Sequence, residues 1–298
     1  MSALREIVVL SGKGGAGKTC ITASLGAVLP GAKVFCDADV DAPNLELLLA
    51  PEILEEEPFE SGLRAEIDPG ACTGCGRCEV ACRFRAVAVR DGRAQVDAFA
   101  CEGCGVCALV CPEKAVSFVP VVQGRLFRSR TVLGYFEHAR LRPGGANSGK
   151  LVQLLRRRAR ETALREGVSV LLVDGPPGIA CPAISSLAGA NAALLVTEPT
   201  DSARADLLRI AELAGRFRVP FGIVLNKADL SREGAHRTEE LCAERRWPLL
   251  ARFPFVEEIP RCIARREVPV KPLGEELHRL TEGLSLLLSK AAECGTGV

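Results

Sequence analysis

The chain has 298 residues, 48% of them hydrophobic, and 38 basic side chains against 37 acidic ones. That length allows one large α/β domain plus a small one. The net charge of +1 and the 4% of aromatic residues argue against a surface built for nucleic acid, and none is expected as a partner.

No apolar run approaches the roughly 20 residues that span a bilayer, and no hydrophobic leader precedes the first motif at Ser11. A cytoplasmic protein without a membrane anchor is therefore expected. Of its 14 cysteines, eight sit in two tight clusters, which in a reducing compartment points to metal rather than disulfides.

In chain order, an apolar strand over residues 7–10 runs into Ser11–Thr19, SGKGGAGKT, and a helix-compatible run follows over residues 20–29. Strand, glycine loop, helix is the setting of a phosphate-binding loop. Gly12, Lys13, Gly14, Gly15, Ala16 and Gly17 would turn backbone N–H groups onto a polyphosphate, aided by the positive end of the new helix. Lys18 would reach the β and γ phosphates, and the Thr19 hydroxyl would sit on Mg2+. A second buried strand, residues 33–36, ends at Asp37 in the run DADVDAPN. Carboxylates there lie on the sheet edge where open α/β folds bind ligands. Asp37 is expected in the Mg2+ shell, and Asp39 is expected to orient the attacking water. Residues 51–60, PEILEEEPFE, with two prolines and five glutamates, read as a boundary linker.

Cys72, Cys75, Cys78 and Cys82 form C-x2-C-x2-C-x3-C, and Cys101, Cys104, Cys107 and Cys111 repeat it at an offset of 29 residues. Each copy ends in a strand-like run, residues 86–89 and 115–119. The spacing resembles that of a bacterial two-cluster ferredoxin. The resemblance implies one 4Fe-4S cluster on Cys72, Cys75, Cys78 and Cys111 and a second on Cys101, Cys104, Cys107 and Cys82. Zinc is the rival, since four-cysteine zinc sites also use C-x2-C pairs, though usually with a longer loop between them. One departure is Arg83 after Cys82, where the family often has proline.

Beyond Val121 a basic and apolar segment, residues 125–136, can rejoin the sheet. A turn-rich loop over residues 142–150 then starts a helix over residues 151–166, with Ser148 a candidate cap and Lys150 a minor active-site candidate. Arg156, Arg157, Arg158 and Arg160 read as a solvated face. The strand over residues 168–173 ends at Asp174 in DGPPG, a Walker B pattern whose carboxylate would hold Mg2+, with Gly175 and Gly178 free to approach a γ-phosphate. Cys181, seven residues on, reads as a small buried residue first and a redox ligand second. Strands over residues 192–197 and 221–225 flank a helix over residues 201–216. Asn226-Lys227-Ala228-Asp229 resembles a base-reading motif in which Asn226 would meet a purine edge. A last strand over residues 251–255 and an amphipathic helix over residues 275–290 complete the chain.

With these motifs in place, the chain resembles the MinD/ParA/Mrp-type P-loop ATPases carrying an inserted ferredoxin domain. The diagnostic is GKGGAGKT, with Lys13 as well as Lys18. The resemblance implies an α/β P-loop NTPase with a mainly parallel sheet over residues 1–60 and 120–298, and an α+β ferredoxin-like domain over residues 61–119. It also implies ATP or ADP, Mg2+ and an ATP-dependent dimer, with itself or with a paralogue, in which Lys13 acts across the interface. Asp39 matches the water-activating position of MinD-like sequences, and Asn226 the adenine-contacting one. The DGPPG loop is similar to that of the Mrp iron–sulfur carriers. Nitrogenase iron protein is a more distant likeness, resting on Cys181. The expected function is ATP hydrolysis coupled to electron transfer through two 4Fe-4S clusters to a redox or assembly partner. The alternatives are a positioning or assembly ATPase with the ferredoxin as sensor, and a cluster carrier.

Overall fold

The computed structural model describes residues 4–143, 145 and 148–295. Residues 144, 146 and 147 of the turn-rich loop read before the first arginine-rich helix lie outside them. In chain order the elements begin with Arg5–Ser11 (β1), Lys18–Val28 (α1), Lys33–Asp37 (β2), Leu45–Leu49 (α2) and Glu52–Ile67 (β3). Arg77–Ala81 (α3), Val87–Arg90 (β4), Arg93–Val96 (β5) and Val106–Leu109 (α4) follow. Val116–Thr131 (β6), Gly134–Leu141 (β7), Ser148–Arg165 (α5), Val170–Pro177 (β8) and Cys181–Leu187 (α6) come next. The chain closes with Ala192–Thr197 (β9), Asp201–Arg216 (α7), Phe221–Leu225 (β10), Arg232–Glu244 (α8), Leu249–Arg252 (β11), Glu258–Ala264 (α9) and Val270–Gly295 (α10).

The chain divides into two compact units, Met1–Glu57 with Arg125–Val298, and Pro58–Gly124. The sheet order is β11-β10-β9-β1-β8-β2-β7-β6-β3. Strands β11 through β7 in that order pair in parallel. A parallel sheet is covered on both faces, which is why β1, β2 and β9 read as continuous apolar runs and are buried along their length. The core on one side of the sheet joins Phe35, Phe136 and Leu172 to Leu277, Leu280 and Leu284 of α10, so that amphipathic helix packs on the sheet.

Two sequence expectations are corrected here. The run PEILEEEPFE is not a linker but the first half of β3. Its glutamates hold it against arginines far along the chain: Glu55 on Arg128 (2.8 Å), Glu56 on Arg125 (2.7 Å) and Glu57 on Arg158 (2.6 Å). At the sheet's edge the charges and Pro58 are tolerated, because no further strand has to pair there. Of the arginines of α5, Arg157 is exposed as expected, but Arg156, Arg158 and Arg160 are not simply solvated. Arg156 and Arg160 both grip Glu6 of β1 at 2.6 Å, and Arg156 also donates to the carbonyls of Ser185 and Ala188. Arg158 shares Glu137 of β7 with Arg128 and Thr162. Ser148 lies within α5 as its first residue rather than outside it as a cap.

In the unit Pro58–Gly124, β4 and β5 form an antiparallel hairpin closed by Asp91-Gly92. Helices α3 and α4 are the repeat-related pair, and each carries the third cysteine of its run. The strand after the second copy does not stop at residue 119 but continues to Thr131.

Glu137 is fully buried with two arginines on it. Removing it takes the buried carboxylate from both cations, leaving Arg128 with Glu55 and Arg158 with Glu57 alone and the Thr162 hydroxyl without its acceptor, which costs about 3 kcal/mol. Glu137→Ala is therefore expected to lose that much unfolding free energy in urea titrations, and an exposed-site Glu161→Ala to lose under about 0.5 kcal/mol.

Candidate functional site

The glycine loop leaves β1 at Ser11, whose hydroxyl donates to the Lys13 carbonyl (2.6 Å), and enters α1 through Gly17 at φ 94°. Gly17 is required twice over. Its φ lies in the left-handed region, and a Cβ there would stand 2.3 Å from Nδ2 of Asn226. Gly14 and Gly15 form the exposed crest, with open space beside them, and Ala16 is buried beneath. Lys18 is 6% exposed, and among the described residues no hydrogen bond or ion pair engages its ammonium group. Gly12 lies between Ser11 and Lys13 at the loop's entry.

Asp37, the last residue of β2, stands opposite Asp174, and β8 does not end there as expected but runs on to Pro177. Asp174 accepts from the hydroxyls of Thr19 (2.6 Å) and Thr22 (3.3 Å). Asp37 accepts from the backbone N–H groups of Asp39 and Leu45, both at 3.1 Å. Asp37 therefore organises the loop that carries Asp39. Both carboxyls are 1% exposed. Burial pushes the Asp37 carboxyl up and the Asp174 charge adds to it; burial likewise pushes Asp174 up, against the pull of the Thr19 hydroxyl. Burial raises the Asp39 carboxyl and the Lys18 charge draws it back down. Thr19 and Asp174, already in contact, are the groups that could hold Mg2+ here.

The structure gives Asn226 a different first task. Its Nδ2 donates to the Ala16 carbonyl (2.8 Å) and its Oδ1 accepts from Lys227 N–H (3.0 Å), so it braces the loop from below. One hydrogen of Nδ2 is left for a base edge. Gly175 and Gly178 also differ from expectation. A Cβ on Gly175 would press on Leu10 Cδ2 at 2.5 Å, so its glycine serves packing under β1. The Gly178 N–H is spent on the Ser11 carbonyl (2.9 Å), which ties the DGPPG loop to the glycine loop.

Sequence reasoning missed Glu198. It follows β9 at the ligand-bearing sheet edge, in TEPT, which was the available signal. Its carboxylate meets Lys13 Nζ at 3.1 Å and Lys227 Nζ at 2.5 Å. Lys227 reaches on to the Gly15 carbonyl (2.9 Å), and Lys13 to Thr200 Oγ1 (3.4 Å). Burial alone would raise the Glu198 carboxyl, but the two ammonium groups outweigh it and hold it below the usual range. In a single chain, then, the second lysine of the loop is held by its own chain. Lys150 is exposed. Cys181 is exposed rather than buried, with its Cβ 3.3 Å from where a Cβ on Gly149 would lie.

In the unit Pro58–Gly124 the eight cysteines surround two cavities. Cys72, Cys75, Cys78 and Cys111 line one with about 360 Å3 of atom-free space, open solvent included; Cys82, Cys101, Cys104 and Cys107 line another with about 330 Å3 on the same measure. The fourth cysteine of each run thus lies on the other run's cavity. Backbone N–H groups of Ala86, Ala94 and Ala115 donate to the sulfurs of Cys82 (3.3 Å), Cys72 (3.4 Å) and Cys111 (3.4 Å). Burial pushes the Cys78 and Cys107 thiols up. Among the described residues no three His, Cys, Asp or Glu side chains converge as they would on a single metal ion.

The model of the CobQ/CobB/MinD/ParA nucleotide binding domain matches residues 7–270. The chain belongs to that family. It is 29% identical over 297 residues, 97% of each chain, to an uncharacterised protein of Methanocaldococcus jannaschii. It is 28% identical over 214 residues, 71% of this chain and 58% of the other, to a putative septum site-determining protein MinD of Nephroselmis olivacea. Among solved structures, MinD of Pyrococcus horikoshii complexed with Mg-ADP matches with a TM-score of 0.59 and 18% identity, covering 97% of this chain and 99% of that one. That last likeness is one of fold.

The MinD/ParA family assignment makes the unit containing β1 and β8 an ATPase domain. No described helix is long and apolar enough to cross a membrane. Gly17→Ala forces a left-handed φ on a side chain that also collides with Asn226. The expected result is at least a tenfold loss of affinity in fluorescent-nucleotide titration, with the strain alone worth roughly 1–2 kcal/mol.

Proposed function

We propose that this MinD/ParA-family ATPase is an ATP-driven dimer switch whose output acts on two iron–sulfur clusters, changing their readiness to pass electrons to a protein partner. The observation that carries the redox part is the division of eight cysteines into two cavities of four. Thiolates are soft anionic donors, and such a set suits a group several atoms across. A lone zinc, at about 2.3 Å from each sulfur, would draw four of them to within about 4 Å of one another. When bound, the clusters would supply one-electron storage. The chain's own part is to ring them with sulfur and aim backbone N–H groups at it, which stabilises added negative charge.

On the nucleotide side, Lys18 neutralises phosphate, and Thr19 with Asp174 holds Mg2+. Asp39 orients the attacking water. Lys13 is the residue that changes partner. It rests on Glu198 in its own chain and reaches the nucleotide of a second copy, or of a paralogue, when ATP brings the two together. A charge delivered across an interface at the transition state contributes on the order of a thousandfold in rate. The likeness to MinD favours a second reading, a positioning or assembly ATPase that uses the cysteine unit as a sensor. The full set of four cysteines at each site favours retention over carriage of a labile cluster.

Anaerobically purified protein is expected to hold about eight irons and eight sulfides per chain. Lys13→Ala is expected to bind ATP but to hydrolyse it about a thousandfold more slowly. Cluster reduction potentials measured by redox titration should shift between ATP and ADP. Identical potentials, with hydrolysis that survives replacement of Cys78 and Cys107 by serine, would leave the positioning reading standing and remove the redox one.

A further inference from the structure

Beside the cavity lined by Cys75 lies an open groove with about 1160 Å3 of atom-free space, solvent included. Cys75 and Cys111, from that same cavity, form part of its wall. Helices α3 and α4 pack on each other there and form its other walls. Each puts one large apolar side chain almost wholly into water, Val80 at 90% exposure and Leu109 at 85%. These are equivalent positions of the 29-residue repeat. Single exposed apolar residues are ordinary on a surface, but two neighbouring ones lining a groove mark a binding face.

The charge of the groove narrows what binds. Among the described residues that line it, the charged ones are Arg77 and Glu79, and they cancel. A cationic or anionic partner surface gains nothing there, whereas an apolar uncharged one does. The sulfurs in the wall narrow it further. Cys75 is exposed, so a partner seated on Val80 and Leu109 comes against the protein atoms that separate the first cavity from solvent.

We propose that this groove docks a protein electron carrier through an apolar, uncharged contact face, making the Cys72, Cys75, Cys78 and Cys111 site the port for electrons. The proposal rests on the cluster reading given above. The transfer is one electron: the reduced carrier is oxidised by one unit, the cysteine-held cluster is reduced by one, and no bond or proton moves.

The test uses the full chain, purified anaerobically, with oxidised flavodoxin as probe and isothermal titration as readout. Wild type is expected to bind with a Kd that changes less than about threefold between roughly 0.05 and 0.5 M salt. The double variant Val80→Asp, Leu109→Asp is expected to bind at least tenfold more weakly, with its iron and sulfide content unchanged. Phe99→Asp alters an equally exposed apolar residue outside the groove and should bind as wild type does. Reduced flavodoxin should transfer electrons more slowly to the double variant, while reduction by dithionite should not change.

Absence of iron and sulfide overturns the cluster reading and the docking proposal together. With clusters present, four outcomes overturn the docking face alone: no binding by wild type, a steep salt dependence, an undiminished affinity in the double variant, or an equal loss in Phe99→Asp. Self-association of wild type that disappears in the double variant, read by sedimentation, would instead make the groove a contact between copies and would also overturn the proposal.

Discussion

Two carboxylates, Asp37 and Asp174, are set opposite each other on neighbouring strands and almost sealed from water. Like charges so placed repel strongly because little solvent screens them. Around them, two backbone N–H groups cap Asp37, two hydroxyls cap Asp174, and the buried ammonium of Lys18 lies within electrostatic reach of Asp174. The pair also explains why β2 and β8 must be neighbours, for only adjacent parallel strands bring their carboxyl ends to one point. The groups around the pair offset the repulsion only in part, and burial still pushes both carboxyls up.

The same logic of unfinished charge runs through Glu198. One carboxylate serves two lysines, and each of those lysines also touches or belongs to the glycine loop. Lys227 has a structural anchor in the Gly15 carbonyl, whereas Lys13 is a third exposed and leans on a long 3.4 Å contact to Thr200. Of the two, Lys13 is the one that can leave with little disturbance. Its departure does not strand Glu198, because Lys227 remains.

Much of this was legible in the residue order, and the reason is locality. The glycine loop, the cysteine repeat, the apolar runs of β9 and β10 and the amphipathic period of α7 are each written within a few turns of chain. What escaped was long-range. PEILEEEPFE has the composition of a linker, and the partners that make it a strand lie 69, 73 and 101 residues away. Arg156, Arg158 and Arg160 of α5 look solvated until Glu6 and Glu137 are brought beneath them by the sheet. Asn226 was read for its base-facing chemistry, yet its nearest partner is the Ala16 carbonyl, 210 residues before it. Cys181 followed the opposite course: its small apolar character suggested burial, but the first turn of α6 leaves it in water.

One consequence of the β3–β6 ion pairs concerns the history of the chain. Glu56 and Arg125 meet at 2.7 Å, on either side of the point where the chain leaves the ATPase unit and the point where it returns. The ends of the intervening 67 residues, Pro58–Gly124, are therefore anchored side by side. Closing a loop between such ends costs entropy that grows only with the logarithm of its length. To the sheet, a tight turn and a whole cysteine-binding unit are nearly the same connection. Because β3 and β6 both run on past that boundary, the clasp of Glu56 and Arg125 sits in the middle of two strands and fixes the register at which they enter the second unit.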